Sequence, residues 1–145
     1  MKITEVRVNL TADEDDRLKA FCSMTIDGEF VVRDIKIIEG TDGHFAAMPS
    51  RKMSSSCERC GGKNHLKAKY CNNCGKALAG SRGRKDFKGR MRLYADVAHP
   101  INAKCRTEIQ DRLIAAFKEE VEKSKQPGYK PVELDTPEED VPQIV

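Results

Sequence analysis

The sequence has few aromatic residues and no long apolar segment. Its 145 residues include no tryptophan, and aromatic residues make up 6% of the total. Charged residues account for 34%, so we predict a modest hydrophobic core in one domain, or in one domain with a small module. No segment approaches the ~20 apolar residues of a membrane-spanning helix. The first residues also lack the apolar run of a signal peptide, so we expect a cytoplasmic protein without a membrane partner.

Cysteine is concentrated in one segment, CERCGGKNHLKAKYCNNCG, in which ten residues separate two CxxCG pairs. Two cysteines three positions apart on a tight turn direct both sulfurs toward one point, and the following glycines, Gly61 and Gly75, allow the backbone to bend. Four thiolates complete a tetrahedron that suits zinc and leaves no position open for water or substrate. The sequence therefore predicts one structural zinc ion per chain, with the ligands Cys57, Cys60, Cys71 and Cys74.

Two other uses of these four cysteines remain open: a pair of disulfides, or a dithiol redox centre. The repeated pair favours zinc because it has the pattern of small zinc modules, and because a reducing cytoplasm disfavours disulfides. The other two cysteines, Cys22 and Cys105, fall on predicted apolar faces, so we expect them to be small core residues.

Basic residues are concentrated around and after the cysteine segment. Residues 51–92 contain 13 basic and 2 acidic residues, whereas residues 132–145 contain five acidic residues and no basic one. A local positive field of this size attracts nucleic acid. The alternative is a set of solvated charges on a surface and a soluble linker. The candidate nucleic-acid-binding residues are Arg51, Lys52, Arg82, Arg84, Lys85, Lys88, Arg90 and Arg92.

The clearest secondary-structure prediction is a β-hairpin. Apolar and polar residues alternate over residues 17–26, and residues 29–38 can return as the partner strand. The intervening Asp27-Gly28 has the residue types of a two-residue type I′ turn. Such a turn places Lys19 opposite Lys36, and these like charges are unfavourable unless solvent or a bound anion screens them.

A helix follows the strands, and a compositional change interrupts them. Apolar residues recur at helical spacing after Asn102, a candidate N-cap, and this pattern ends near residues 126–128. Residues rich in Gly, Ser and basic side chains separate the strands before and after the cysteine segment, which is typical of an insertion. We predict a core domain at 1–52 and 91–126, an inserted zinc ribbon with a basic linker at 53–90, and a disordered acidic tail at 127–145.

Two blocks on either side of the insertion, EFVVRDIKIIEGTDGHFAAMPSRK and YADVAHPINAKCRTEIQD, resemble the SpoVG (stage V sporulation protein G, septation regulator) family of small bacterial proteins. The resemblance covers residues 1–52 and 91–125. It implies an α+β fold, with a small twisted antiparallel sheet and a C-terminal helix, and a homodimer. It also implies binding of DNA or RNA in gene regulation, to which the basic pair Arg51 and Lys52 is matched. Neither catalysis nor a small-molecule substrate is implied.

This chain departs from the family in the connection between the two blocks, which is several times longer than in ordinary members and contains the cysteine pairs. The additional segment in this connection resembles a zinc ribbon. It is inserted beside the basic pair, where it extends a positively charged surface. We therefore predict a nucleic-acid-binding regulator. The alternative is a protein-interaction adaptor whose ribbon docks an acidic partner.

The sequence offers little support for an enzyme. Asp96, His99 and Asn102 lie close together near the start of the helix, but no nucleophile with an adjacent base can be named. A histidine before proline at a strand-to-helix corner is typical of a residue that fixes a turn. We expect no catalytic residues.

Overall fold

The structure is a computed structural model that describes residues 1–12, 16–79, 85 and 87–134. The chain divides into two compact units: Met1–Pro49 with Ala98–Val145 (unit 1), and Ser50–Val97 (unit 2). Among the described residues, no helix is both long enough and apolar enough to cross a membrane.

The described residues of unit 1 form a four-stranded antiparallel sheet and one helix. The strands are Ile3–Leu10 (β1), Leu18–Ile26 (β2), Phe30–Gly40 (β3) and Gly43–Ala47 (β4), and the helix α1 spans Ala103–Ser124. The strands lie in the order β1-β2-β3-β4, so each one is hydrogen-bonded to its neighbours in the sequence. This architecture confirms the predicted α+β fold.

One apolar core joins the sheet and the helix of unit 1. Alternate residues of β2, Ala20, Cys22 and Met24, are buried, as a strand with one covered face requires. The helix contributes a row of buried residues at a spacing of four: Ile109, Leu113 and Phe117. Burial also raises the pKa of Cys22 to about 12, so this residue is a neutral core thiol, as predicted.

The hairpin of β2 and β3 has the predicted turn but a different register. Asp27 and Gly28 have φ values of 53° and 69°, and Glu29 N donates to Ile26 O at 3.0 Å, as in a type I′ turn. However, Ile26 pairs with Phe30 instead of Glu29. The predicted register was therefore wrong from the turn onward, because Glu29 is an extra residue on the β3 side.

A β-bulge shifts the same hairpin again. The register changes between the pair Met24–Val32 and the pair Cys22–Ile35. Within this interval Asp34 has a φ of 60°, in the left-handed region that a bulge can require. The bulge lets β3 keep Val32 and Ile35 buried although they are three positions apart.

The predicted opposition of two lysines was wrong for the same reason. Lys36 lies opposite Phe21 in the observed register. Lys19 Nζ lies 3.3 Å from Glu39 Oε2, so a carboxylate of β3 neutralises it. No bound anion is needed to explain the two lysines.

Helix α1 begins at the predicted N-cap. Asn102 Oδ1 accepts a hydrogen bond from Cys105 N at 2.8 Å, which satisfies one amide of the first turn. The helix ends at Ser124, just before the predicted end. From its middle, Gln110 Oε1 accepts a hydrogen bond from Ala46 N of β4 at 2.9 Å, which links the helix to the edge of the sheet.

The segment after α1 is hydrogen-bonded to α1 and to β1. Tyr129 OH donates to Glu120 Oε1 at 2.6 Å, and Asn9 Nδ2 of β1 donates to Val132 O at 2.8 Å. The predicted acidic tail starts in this segment, and its residues 135–145 lie outside the described residues.

In the part of unit 2 that the structure describes, there are two short antiparallel strand pairs. Ser50–Lys52 (β5) pairs with Tyr94–Asp96 (β8), and Ser54–Ser56 (β6) pairs with Lys63–His65 (β7). Strands of three residues bury too little surface to be stable alone. The buried residues among those described in this unit are Cys57, Asn64, Leu66 and Cys71.

Candidate metal centre and basic surface

The first CxxCG pair forms a tight turn, residues 57–62. Cys57 N donates to Gly62 O and Gly61 N donates to Cys57 O, both at 2.8 Å. Gly61 has a φ of 73°, a conformation that disfavours any residue with a Cβ atom. This geometry explains why glycine follows the pair.

The second CxxCG pair repeats this turn at residues 71–76. Cys71 N donates to Lys76 O at 2.7 Å and Gly75 N donates to Cys71 O at 3.0 Å. The φ of Gly75 is 77°. Both turns therefore present their two cysteines in the same way.

The four sulfurs converge on one point. The Sγ atoms of Cys57, Cys60, Cys71 and Cys74 lie within 4.8 Å of one another. The closest approaches between the turns are 3.8 Å for Cys57–Cys74 and 3.5 Å for Cys60–Cys71. Sulfurs that surround a tetrahedral ion at ~2.3 Å are about 3.8 Å apart, so the arrangement can hold one metal ion.

The disulfide alternative does not fit these distances. All four cysteines are free. Their closest sulfur separations exceed the ~2.05 Å of a disulfide bond, and each close pair joins the two turns. The donor set is therefore four thiol sulfurs with no other ligand required.

Amide groups around the sulfurs favour thiolates, the form that binds metal. The backbone N–H of Cys74 and the side chain of Asn64 lower the pKa of Cys71 to about 5. The side chain of Asn73 lowers the pKa of Cys60. These donors replace the water that would otherwise solvate the negative sulfurs.

Cys74 shows the opposite shift. The backbone at Lys76 lowers its pKa, but burial and the adjacent thiols outweigh this contribution and raise the pKa to about 11. Several thiolates in so small a volume repel one another. A divalent cation at the centre would remove that repulsion and make all four sulfurs ligands.

Asn64 connects the two turns, and sequence reasoning missed it. Its Nδ2 donates to Gly62 O at 3.1 Å and to Cys71 Sγ at 3.4 Å, while its Oδ1 accepts from Asn72 N at 2.7 Å. The side chain is buried, with 4% of the residue exposed. A short amide side chain between two cysteine pairs is the signal that could have identified it, because only such a group can serve a sulfur and two backbone groups together.

Two histidines, one in each unit, have partners in local turns. His65 Nδ1 accepts a hydrogen bond from Lys67 N at 3.1 Å. His99 Nδ1 lies 3.1 Å from Pro100 O, at the corner before α1. The interaction of His99 agrees with the turn-fixing role expected from the sequence.

The basic pair Arg51 and Lys52 lies on β5. Both side chains are exposed. Arg51 pairs with Ala95 and Lys52 with Tyr94, and the hydrogen bond from Met53 N to Leu93 O at 2.8 Å extends the pairing by one step. Backbone hydrogen bonds thus hold these cations on a defined strand pair.

The remaining candidate cations follow the cysteine segment. Lys85 forms a β-bridge with Met91, shortly before β8. Lys88, Arg90 and Arg92 are exposed. Arg82 and Arg84 lie outside the described residues.

The family model described as SpoVG matches residues 1–119 of this chain. The chain belongs to the SpoVG family. One relative, "Putative septation protein SpoVG" of Alkaliphilus metalliredigens, is 39% identical over 117 residues, which cover 81% of this chain and 82% of that protein. A protein of the same name from Finegoldia magna is 34% identical over 132 residues, which cover 91% of this chain and 88% of that protein.

These comparisons confirm the resemblance of the two sequence blocks to the SpoVG family. The matched residues include the four strands of unit 1, the whole of unit 2 and most of α1. The cysteine segment therefore lies within the span of a SpoVG chain and not beyond its end.

Proposed function

We propose that this SpoVG-family chain is a cytoplasmic, non-enzymatic regulator that binds DNA or RNA and takes part in septation or sporulation-type gene regulation. The names of its relatives support the link to septation. The main support for nucleic-acid binding is the separation of charge. Unit 2 has 13 basic and 3 acidic residues, whereas unit 1 has 13 basic and 20 acidic residues.

The proposed mechanism is electrostatic. Exposed cations such as Arg51 and Lys52 would neutralise phosphates and release the counterions condensed on the nucleic acid, and this release supplies affinity. The sequence of unit 1 has more acidic than basic residues, so the polyanion would be directed to unit 2. Phosphate contacts of this type position the protein without reading sequence.

We propose zinc as the ion of the metal centre. Four soft sulfur donors with no open position are typical of structural zinc, and the side chain of Asn64 and the nearby backbone amides donate to the sulfurs and hold them in place. The role of this chain's cysteines would be to join the two turns and so replace the apolar core that unit 2 lacks. Iron is the competing ion for the same donor set, and metal analysis of the purified protein distinguishes the two.

We also propose a homodimer. Three large apolar side chains of unit 1, Phe30, Phe45 and Ile101, are 65%, 41% and 89% exposed, and a second copy could cover them. Size-exclusion chromatography with light scattering should give the mass of two chains. A monomer at micromolar concentration would contradict this part of the proposal.

The nucleic-acid proposal can be tested with Arg51→Ala combined with Lys52→Ala. The slope of log affinity against log salt on duplex DNA should fall by about 0.9 for each phosphate interaction that the substitutions remove, or by up to roughly two units. The matched control is Lys104→Ala with Lys118→Ala, which removes two exposed cations from α1 in unit 1. This control should leave the slope unchanged.

Two outcomes would contradict the proposal. If the slope fell by the same amount in both double variants, the net charge of the protein, and not the cations of β5, would determine binding. Binding that barely changes between about 50 and 200 mM salt would exclude counterion release. A stoichiometric acidic protein that stays bound after nuclease treatment would then favour the adaptor.

A further inference from the structure

The aromatic side chains of unit 2 are exposed. This is unexpected, because the unit buries few of its described residues and these rings could have formed a core. Its three aromatic residues, Tyr70, Phe87 and Tyr94, are 67%, 93% and 52% exposed. Each aromatic ring could bury roughly 150–250 Å² and would be the strongest available contribution to a core. Cysteine, asparagine and leucine are buried in their place. Rings left in solvent present apolar faces on which a flat partner can stack.

Two of the three exposed rings also have a lysine beside them. Lys88 Nζ lies 5.7 Å from the centre of the Phe87 ring. Lys52 lies directly opposite Tyr94 on the neighbouring strand. Rings paired with cations are the composition of sites that stack bases and bind the adjoining phosphates.

Tyr94 has the best-defined position of the three. Directly opposed residues of an antiparallel pair share one face of the sheet, with Cβ atoms about 4.5–5.5 Å apart, so the Tyr94 ring and the Lys52 side chain emerge together. The Met53–Leu93 hydrogen bond fixes the next step of the same pair. A nucleotide that stacks on this ring would place its phosphate within reach of Lys52.

We infer that unit 2 binds single-stranded nucleic acid, with Tyr94 as a base-stacking residue and Lys52 on the flanking phosphate. This inference rests on the proposed function and names its substrate class. Bases in a duplex are stacked on each other and expose only their edges, so an aromatic side chain cannot stack on their faces. Bases in a single strand offer a free face, which every base has, and the stacking is therefore tolerant of sequence.

The test compares Tyr94→Ala, Tyr94→Phe and the wild-type full chain with zinc bound. The probes are labelled oligo(dT) and oligo(rU) of about 20 nucleotides, and a duplex of mixed sequence and equal length, long enough to span a site of the usual size. Tyr94→Ala should weaken single-strand binding about tenfold, within the range expected for one stacked base, and leave duplex binding and the salt slope unchanged. Tyr94→Phe keeps the ring and should bind like the wild type.

Two controls separate removal of the stacking ring from damage to the fold. Tyr94→Leu keeps a large apolar side chain on β8 without an aromatic face, so it should weaken single-strand binding as Tyr94→Ala does. Tyrosine fluorescence gives an independent measurement, because the chain has no tryptophan. Oligo(dT) should quench the wild type more than Tyr94→Phe, and the difference is the emission of Tyr94 under a stacked base.

The outcomes are distinct from those of the proposed function. A wild-type protein that binds neither probe would overturn both proposals. Binding to duplex but not to single strands would overturn this inference alone. An equal effect of Tyr94→Ala on both probes, or no difference in quenching, would exclude Tyr94 as a stacking residue.

Discussion

Unit 1 and unit 2 achieve a compact structure by different means. In unit 1, Met24, Ile35, Ile37 and Leu113 are almost completely buried between the sheet and the helix. In the described part of unit 2, the buried residues are two cysteines, Asn64 and Leu66. The first unit depends on apolar burial, which needs many residues, whereas the second can depend on one ion, which needs four ligands.

The difference affects what each surface can do. With a metal ion on its four cysteines, unit 2 would not need its aromatic residues for a core, and Tyr94 could remain in solvent. Metal–ligand bonds would also offset the repulsion in a unit with 13 basic and 3 acidic residues. The described residues of unit 1, in contrast, include 13 basic and 13 acidic residues and so have no net charge to attract a polyanion.

Removal of the metal should have the largest effect of these experiments, because it should destabilise unit 2 and leave unit 1 folded. Structural zinc contributes about 10–16 kcal/mol in small zinc modules, far more than the strand pairs of unit 2 can supply. A strong chelator should therefore abolish amide protection in unit 2 while β2, β3 and α1 stay protected. Hydrogen exchange with mass spectrometry measures this, and added zinc should restore the protection.

A pair of cysteine variants provides the control for that experiment. Cys71→Ser removes a candidate ligand and should reproduce the effect of the chelator. Cys105→Ser alters a half-buried thiol of unit 1 and should keep the metal bound. Loss of protection in both units together on chelation would show that the two units are not independently stable.

The substitution Asn64→Ala should have an intermediate effect. It removes a donor to Cys71 Sγ and the link between the two cysteine turns, so zinc affinity should fall by about 10- to 100-fold. Competition with a chromogenic chelator measures the affinity. Asn72→Ala, at an exposed position, is the matched control. Equal zinc affinities of Asn64→Ala and Asn72→Ala would show that the hydrogen bonds of Asn64 do not support metal binding.

The smallest expected effect concerns unit 1. Tyr129→Phe removes the hydroxyl that donates to the buried Glu120, and it should lower the free energy of unfolding of unit 1 by about 1 kcal/mol. Tyr70→Phe changes an exposed residue of unit 2 and should have no effect there. Urea titration followed by circular dichroism measures both.

The same hydrogen bond predicts a pH dependence. The interaction with Glu120 raises the pKa of Tyr129 from its ordinary value of 10.0 to about 12. The unfolded chain therefore loses this proton first, and the stabilisation is complete below pH 10 and disappears between pH 10 and 12. The stability difference between wild type and Tyr129→Phe should shrink over that interval. A constant difference would contradict the assignment.

Much of the candidate site could be predicted because its signals are local. The spacing of Cys57, Cys60, Cys71 and Cys74 fixes which sulfurs can meet, and Gly61 and Gly75 mark the turns that aim them. Asn102 was identifiable as a cap because a cap acts within three residues of itself. The SpoVG blocks supplied the fold, which the observed sheet and helix confirm.

The remaining features depend on interactions that no local pattern encodes. The bulge at Asp34 shifts the pairs from Cys22–Ile35 to Ala20–Ile37, and aspartate is only one of several residues that tolerate a positive φ. Asn64 supports the sulfur of Cys71 only because the second cysteine turn folds back onto its side chain. Tyr94 was not recognised because its cation, Lys52, is distant in the sequence and becomes its neighbour only through the pairing of β5 with β8.

The hydrogen bond between Ala46 N and Gln110 Oε1 bears on how the protein behaves at high concentration. β4 is an edge strand, and an outward-pointing amide on such a strand can recruit the backbone of another molecule and start an aggregate. Gln110 occupies the amide at 2.9 Å and places a helix side chain where a foreign strand would approach. The helix thereby hinders intermolecular sheet growth at this edge, and it contributes to solubility as well as to packing.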